Sequence, residues 1–202
     1  MRLLRKRLDR GMARPRTFNP DEVLDIARDV FWHKGYQGTS LDDITAETGL
    51  TKPSLYAAFG DKTSLFLSVL DRYHDQIVVR SQKILSSGPS ARAAIEAWLT
   101  SFIPYCSGNK GRRGCLSINT ATDGGLDEAA VHKSIAGFNS RLEDLILSRL
   151  RVDRAQFSES FNPVAVTQTI MAVYVGLMAQ SKQSPPPDRV KSVIAQAMKL
   201  LS

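Results

Sequence analysis

The stretch from Thr39 to Lys62 constrains the fold of this 202-residue chain more than any other part of its sequence. Its pattern predicts two short helices, residues 41–48 and 51–59, separated by a tight turn at Gly49. Glycine adopts the backbone conformations that such a turn needs, and Leu50 supplies an apolar side chain that packs the two helices together. Two helices joined in this way form a helix-turn-helix, whose second helix enters the major groove of DNA.

Both helices are preceded by residues that favour a helix N-terminus. Thr39 or Ser40 stands before the first helix, and Thr51 stands at the start of the second. Their hydroxyl oxygens can accept hydrogen bonds from the free backbone N–H groups of the first turn. Pro53 falls in the first turn of the second helix, where a missing N–H costs little.

The second helix also lacks the charges that would repel a polyanion. Residues 51–60 contain one charged side chain, Lys52, and no acid; their other polar groups are hydroxyls, including those of Ser54 and Tyr56, and Lys62 follows. Lysine and hydroxyl groups are among those that hold phosphates or contact base edges. The alternative is an ordinary solvated helix, since many two-helix turns bind no DNA.

Charge is unevenly distributed along the chain, whose net charge is +7. Residues 1–19 carry a net charge of +6, whereas residues 20–62 carry −4. A basic arm ahead of a helix-turn-helix can follow the DNA backbone or enter the minor groove, with Arg14 and Arg16 nearest the fold. The alternative is a solvated tail with only non-specific attraction to nucleic acid.

Apolar residues recur at helical spacing through the remaining chain. In the first helix they predict a buried face with Val23, Ile26 and Phe31, and in the last helix one with Val190 and Val193. The chain is predicted to be all-α: a basic arm (1–19), a helix-turn-helix domain (20–65) and a larger helical domain (66–202). Besides 41–48 and 51–59, the predicted helices are 20–34, 62–86, 91–105, 115–122, 126–151, 163–183 and 187–201.

The sequence also predicts where such a protein resides. No apolar run was expected to reach the ~20 residues of a membrane span, and no signal-peptide core follows the basic start. Two cysteines, Cys106 and Cys115, are too few for a disulfide scaffold. A soluble cytoplasmic protein without membrane partners is therefore expected.

The first third of the chain resembles the DNA-binding domain of the TetR family of transcriptional regulators. The resemblance rests on the phrases FWHKGYQGTSLDDIT and TGLTKPSLYAAFGDKTSLF. The residues that match the family pattern are Gly35, Tyr36, Thr39, Ser40, Gly49, Leu55, Tyr56, Phe59 and Lys62. The resemblance implies a homodimer paired through its last two helices, which binds a palindromic double-stranded operator and a small-molecule effector. It also implies that the long helix from Lys62 passes the state of the effector pocket to the DNA-binding domain.

These arguments give a predicted set of DNA contacts. Lys52, Ser54 and Tyr56 are expected to meet the DNA, with Thr39 and Lys62 on phosphates and the arm arginines assisting. The full predicted set is Arg14, Arg16, Thr39, Ser40, Thr51, Lys52, Pro53, Ser54, Tyr56 and Lys62.

The run Arg112-Arg113-Gly114-Cys115 carries the most chemical interest outside that domain. A cysteine at a helix N-terminus beside two arginines is expected to have a lowered pKa and a reactive thiolate. The segment resembles the Gly-Cys-x-x-x-Asn-Thr stretch of a TetR subgroup, some of whose members respond to electrophiles, copper or acyl compounds. Cys106 is a candidate resolving partner. The alternative is a buried, inert cysteine that shapes a helix start.

A reversible effector would need aromatic surface with a few polar groups. Such a pocket is predicted from aromatic and polar residues of the second domain, although each of them is also an ordinary core residue. The predicted lining is Trp98, Phe102, Tyr105, Cys115, Leu116, Asn119, Phe138 and Tyr174.

Parts of the sequence also fit two other functional classes. Cys115 with His132 and Asp123 or Asp127 could imitate a thiol hydrolase, but no phosphate loop, metal cluster or nucleophile elbow accompanies them. The sequence therefore predicts no enzyme, no cofactor and no metal site. A sequence-tolerant DNA-binding protein without effector control remains the other alternative, and it would show no preference for a palindrome.

Overall fold

The computed structural model describes residues 18–107, 113–122 and 129–201, and every regular element in these ranges is a helix. The predicted arm residues Arg14 and Arg16, together with Arg112, lie outside the described residues. The helices are α1 (Pro20–Gly38), α2 (Leu41–Thr48), α3 (Lys52–Phe59), α4 (Lys62–Leu85), α5 (Ala91–Thr100), α6 (Ile103–Cys106), α7 (Leu116–Thr122), α8 (Ala129–Val152), α9 (Pro163–Gln180) and α10 (Pro187–Ala197). Short 3₁₀ turns follow α8, α9 and α10 at Arg154–Gln156, Ser181–Gln183 and Met198–Leu201.

Helices α2 and α3 have the predicted bounds and caps. The Ser40 hydroxyl accepts from the backbone N–H of Asp43, whose carboxylate accepts from the backbone N–H of Ser40 in return. Gly49 ends α2 in the left-handed conformation, at φ 69°. The Thr51 side chain then caps α3. This reciprocal capping stabilises a helix of only eight residues, which would be marginal alone.

Several predicted helices are divided in the structure. The first breaks at Gly35, where φ is 72°, directly after its predicted end at Lys34, and α1 then continues to Gly38. The predicted helices 163–183 and 187–201 end earlier, at Gln180 and Ala197, and are followed by 3₁₀ turns. The predicted helix 91–105 ends at Thr100 and resumes as α6. Pro104, which has no backbone N–H to donate to the preceding turn, falls in the first turn of α6.

The first hydrophobic core lies beneath the helix-turn-helix. It combines one apolar side chain each from α2 and α3, Ile44 and Leu55, with residues of α1 and α4. Phe31 of α1 and Phe66 of α4 meet edge to face with ring centroids 4.8 Å apart, and Tyr36 lies 5.0 Å from Phe66. Such aromatic packing holds α4 against α1, and Leu55 attaches α3 to the same core.

Ile26, predicted to be buried, is 37% exposed because it lines an open cleft between α1 and α2. Val193 of α10, also predicted to be buried, is 39% exposed, whereas its neighbours Val190 and Ile194 are buried.

The second core is built mainly from α5, α8, α9 and α10, and both α4 and α8 contribute to the two cores. Leu65, Phe66, Val69 and Leu70 belong to the first core, whereas residues from Val78 onward belong to the second. The predicted division at residues 65 and 66 therefore falls among residues that share one core. Because α4 is a single 24-residue helix, it connects the two cores directly.

Helix α9 contains no Asp, Glu, Lys or Arg. By length and composition, residues 163–183 could cross a membrane, contrary to the expectation from the sequence. One face of α9, including Ile170 and Tyr174, is buried in the second core, which accounts for part of this apolar character. The opposite face exposes Val164 and Val175.

Gly49→Ala should lower the free energy of unfolding by about 1–2 kcal/mol, because an L-residue is strained in the left-handed conformation. Space is not the cause, since a Cβ at Gly49 would have no heavy atom within 4 Å. Gly38→Ala is the matched control: its Cβ would make an ordinary 3.8 Å contact and no positive φ is present there. Urea denaturation at one protein concentration measures both. Equal effects would contradict the assignment of strain to Gly49.

Candidate nucleic-acid interface and its link to the helical core

The outer face of α3 is exposed and carries no acid. Leu55 is 1% exposed and holds the helix on the first core, whereas Lys52, Pro53 and Tyr56 face solvent. Tyr56 is 52% exposed, so its ring is accessible to another molecule. The sequence KPSLYAAF thus presents one cation, a phenol and small side chains on a surface that a polyanion can approach.

Lys52 is held by an acid of the preceding helix. Its Nζ lies 2.8 Å from an Asp42 carboxylate oxygen, and this hydrogen bond raises the pKa of Lys52. Both side chains are largely exposed, so the pair contributes little to stability. A phosphate can therefore replace Asp42 as the partner of Lys52 at small cost.

The hydroxyls of Thr51 and Ser54 are occupied in capping α3. The Ser54 backbone N–H donates to Thr51 Oγ1 at 3.3 Å, and the two hydroxyl oxygens are 3.0 Å apart. Ser54 is half-buried while Thr51 is exposed. Both side chains are thus fixed at the N-terminal end of α3, which is the end that a recognition helix directs into the groove.

Thr39 is a correction to the predicted interface. Its side chain is 2% exposed, and its hydroxyl donates to the Gly35 carbonyl at 2.7 Å. It therefore stabilises the turn between α1 and α2, and its side chain does not reach a phosphate.

The neighbouring Ser40 is exposed, but its hydroxyl and backbone N–H both donate hydrogen bonds to the Asp43 carboxylate. Lys34 and these Ser40 groups lower the pKa of the Asp43 carboxyl.

Lys62 begins α4 beside the interface. Its Nζ lies 4.3 Å from the centroid of the Tyr36 ring, and the Tyr36 hydroxyl is 2.8 Å from Thr63 Oγ1. This cation–π contact holds the cation next to the start of the helix-turn-helix. Lys62 is therefore held at the start of α4, directly after the end of α3 at Phe59.

Only some of the predicted effector residues come together. Trp98, Phe102 and Tyr174 form a mutual aromatic cluster with centroid separations of 4.9–5.3 Å, and all three are buried. Tyr105 is 42% exposed and accepts a hydrogen bond from Arg80 at 3.0 Å, so it does not belong to this cluster. The Tyr174 hydroxyl is buried without a hydrogen-bond partner among the described residues.

The other predicted effector residues lie at different places. Phe138 stacks on His74 with ring centroids 4.3 Å apart. Leu116 packs in the first core, and the Asn119 side-chain amide donates to the Arg113 carbonyl at 2.8 Å. Leu116 and Asn119 line a cleft between α1 and α7 and not the aromatic cluster.

Cys115 is 2% exposed, and its Sγ lies 3.5 Å from the Tyr73 hydroxyl. The sequence predicts that Arg113 lowers the pKa of the Cys115 thiol, but its guanidinium pairs elsewhere. Its guanidinium is 3.2 Å from Asp29 of α1 and lies over the Trp32 ring. Cys106 is also buried, and this burial raises the pKa of its thiol to about 12. That thiol is therefore a poor nucleophile at neutral pH.

Sequence reasoning missed the contacts that tie α1 to the remainder of the chain. The Trp32 indole N–H donates to the Arg113 carbonyl at 2.9 Å, across 81 positions of sequence. Arg72 of α4 forms ion pairs with Asp21 at 2.8 Å and Asp25 at 2.9 Å. The sequence does carry a signal for such contacts: Asp21, Asp25 and Asp29 are four residues apart, so their side chains share one face of α1 and can meet basic residues of another helix.

His74 was also missed, because a lone histidine on an apolar helix face carries no distinguishing spacing. It is 2% exposed, and its Nε2 lies 2.6 Å from the Ser117 hydroxyl of α7. Its Nδ1 is 3.4 Å from Ser134 of α8. Burial lowers its pKa from 6.5 to about 4; Asp71 and Asp75 partly oppose this effect and Arg141 adds to it.

Comparisons with known proteins agree with this geometry. Residues 23–69 match the family described as "Bacterial regulatory proteins, tetR family". The chain is 23% identical to the HTH-type transcriptional repressor ComR and 28% identical to the HTH-type transcriptional repressor BdcR, both of Escherichia coli strain K12. These matches cover 95% and 96% of this chain and 92% and 95% of the relatives.

A solved structure agrees over nearly its whole length. It is a cysteine mutant of the TetR family transcriptional regulator CifR in complex with 26-bp double-strand operator DNA. The TM-score is 0.82 at 31% sequence identity, and the match covers 92% of this chain and 98% of the CifR chain.

The stability of the protein should fall as the pH drops from 6.5 towards 4, and His74 should cause part of the loss. Its folded-state pKa is lowered, so the unfolded chain binds the proton first. Above pH 6.5 the titration of His74 leaves the free energy of unfolding unchanged. As the pH falls to 4, this titration lowers the free energy of unfolding by up to about 3 kcal/mol. Urea denaturation should therefore show the stability gap between wild type and His74→Gln narrowing over this range. His132→Gln, which removes an exposed imidazole, is the control; a gap that stays constant for His74→Gln would contradict the assignment.

Proposed function

The chain belongs to the TetR family of bacterial transcriptional regulators, and we propose that it is a homodimeric repressor released from a palindromic operator by a small-molecule effector. Members of this family bind DNA and are not enzymes. The observation that carries the proposal is the exposed, acid-free face of α3, held on the first core by Leu55.

Each part of that face has a role in operator binding. Lys52, Ser54 and Tyr56 contact base edges and the adjoining backbone, and Lys52 exchanges Asp42 for DNA. The polar groups at the border of the face hold phosphates and so set the register of the protein on the duplex; they are Ser40, Thr51 and Lys62. Pro53 makes apolar contact with the sugar-phosphate backbone beside them. Arg14 and Arg16 of the basic arm assist from the groove edge.

Dimerisation through α9 and α10 supplies the second recognition helix. The support is the apolar surface that these helices leave exposed in the single chain, including Val164, Val175 and Val193. A two-fold axis there would place the two α3 helices about 34 Å apart, one turn of DNA, and would make the operator a palindrome.

The effector enters at the aromatic cluster of Trp98, Phe102 and Tyr174. The support is the Tyr174 hydroxyl, since a buried polar group without a partner is costly and an effector oxygen or nitrogen would satisfy it. Helix α4 borders this core and also forms the first core. An effector that favours a different tilt of α4 therefore favours a different spacing of the α3 helices, and the operator is released.

Thiol sensing through Cys115 is the second candidate for release. It is supported by the contact between Cys115 Sγ and the Tyr73 hydroxyl, because adding a group to this sulfur must displace Tyr73, a residue of α4. Burial of Cys115 limits this route to small reagents. The remaining alternative is that the chain is a sequence-tolerant DNA-binding protein without effector control.

Tyr56→Ala should weaken binding to the DNA upstream of the protein's own gene by roughly tenfold to a hundredfold, the loss expected for a contact worth about 1–3 kcal/mol. Its melting temperature should stay unchanged, because the side chain is 52% exposed. Fluorescence anisotropy measures the binding. Tyr105→Ala, which removes a 42% exposed tyrosine far from α3 in sequence, should bind as wild type does. Unchanged affinity of Tyr56→Ala would remove Tyr56 from the interface.

Alkylation by N-ethylmaleimide should release the reduced protein from the same DNA if Cys115 is the sensor. Cys115→Ser should then stay bound after treatment, whereas Cys106→Ser, which retains Cys115, should still be released. Mass spectrometry confirms which thiol has reacted. Binding that survives complete alkylation of Cys115 would make this residue structural and leave the aromatic cluster as the effector site.

A further inference from the structure

We propose that the cleft between α1 and α7 is a binding site for a small aromatic carboxylate, which takes the place of Asp29 on Arg113. The cleft has a volume of about 620 Å³ and is separate from the aromatic cluster and from the outer face of α3. This size is typical of sites for small organic ligands. Its walls come from the end of α1, from Phe66 of α4, from α7 and its preceding turn, and from Lys182 after α9.

The apolar part of the cleft suits an aromatic ring. Trp32 and Tyr36 of α1 line it together with Phe66 and Leu116. Trp32 is anchored by its N–H on the Arg113 carbonyl and meets Tyr73 edge to face, with ring centroids 5.3 Å apart. The ring of Trp32 is therefore fixed before any ligand arrives, which reduces the entropy lost on binding.

The polar part of the cleft suits an anion. Lys34, Arg113 and Lys182 are among its lining residues, and none of the described residues that line it is acidic. Asp29 and Asp43, which pair with Arg113 at 3.2 Å and with Lys34 at 2.6 Å, line a second cleft. A carboxylate with an aromatic ring therefore matches both parts of the cleft, and the planar fork of Arg113 suits a carboxylate particularly well.

Arg113 is held in a way that permits the exchange. Its guanidinium lies 3.2 Å from Asp29, and the two side chains are each 48% exposed, so their pairing is weak. Asp29 keeps a partner after the exchange, because Arg28 lies 3.3 Å from the same carboxylate oxygen. The Arg113 backbone stays in place, since its carbonyl accepts from both Trp32 and Asn119.

The turn before α7 is built closely around this site. Gly114 has a φ of 71°, and a Cβ there would lie 2.7 Å from Asn119 Oδ1 and 3.0 Å from Lys182 Cγ. A side chain at Gly114 would therefore push Asn119 and the Lys182 stem, both of which line the cleft, away from this turn. A bound carboxylate would bridge α1 and α7, and any resulting change in operator affinity rests on the proposed function.

Isothermal titration calorimetry of the full-length protein without DNA tests the site, so failure of the operator proposal does not affect the result. The probe is 2-naphthoate, and its neutral counterpart 2-naphthamide has almost the same shape. Binding of the carboxylate at least about tenfold tighter than the amide is expected from the charge-assisted hydrogen bonds. Equal affinities, or no heat with 2-naphthoate at millimolar concentration, would overturn the proposal.

Paired variants locate the binding. Arg113→Gln should weaken 2-naphthoate about tenfold, and Asp29→Asn should tighten it about twofold to fivefold, because the competing carboxylate is gone. The matched control is Arg141→Gln: Arg141 is 47% exposed and paired with Asp75, but lies outside the cleft, so wild-type affinity is expected. Melting temperatures establish that each variant is folded. If Arg113→Gln does not fold, Lys182→Gln, which removes another cation of the cleft, takes its place and should also weaken 2-naphthoate binding. Equal affinity in Arg113→Gln and Arg141→Gln, or weaker binding by Asp29→Asn, would contradict the exchange.

Discussion

The packing of Phe66 against Phe31 and Tyr36 is the interaction on which the arrangement of this protein depends. It packs α4 against α1, and Leu55 of α3 is buried in the same core. Since α4 continues without interruption into the second core, one helix joins the core beneath α3 to the larger helical region. The ion pairs of Arg72 with Asp21 and Asp25 reinforce this junction from its surface.

The cluster around Tyr174 and the cleft beside Arg113 bear on that junction from two directions. The aromatic cluster lies in the second core, which α4 enters from Val78 onward. The cleft instead lies between α1 and α7, where the Trp32–Arg113 hydrogen bond crosses from one to the other. Under the proposed function, a ligand at either place would favour one arrangement of these helices over another, and this difference in free energy is all that regulation at a distance requires.

Local patterns in the sequence predicted the helix-turn-helix, its caps and most helix bounds, because capping and turn formation depend on neighbouring residues such as Ser40 and Gly49. Long-range contacts could not be predicted in the same way. Proximity in the sequence predicts that Arg113 lowers the pKa of Cys115, two positions away, but Arg113 pairs with Asp29, 84 positions earlier. Thr39 matched the family pattern yet is buried, and Tyr105 was grouped with aromatic residues from which it is turned away. Helical spacing locates a face but does not show what covers it.

The central claim is that α3 reads a specific operator, and the salt dependence of DNA binding tests it most directly. Affinity would be measured at several salt concentrations for the DNA upstream of the protein's own gene and for a scrambled duplex of equal length and composition. Both affinities should fall steeply with salt, as phosphate contacts require, while the upstream DNA binds about a thousandfold or more tighter at physiological salt. Equal affinity for the two duplexes throughout the series would contradict specific recognition and support a sequence-tolerant DNA-binding protein.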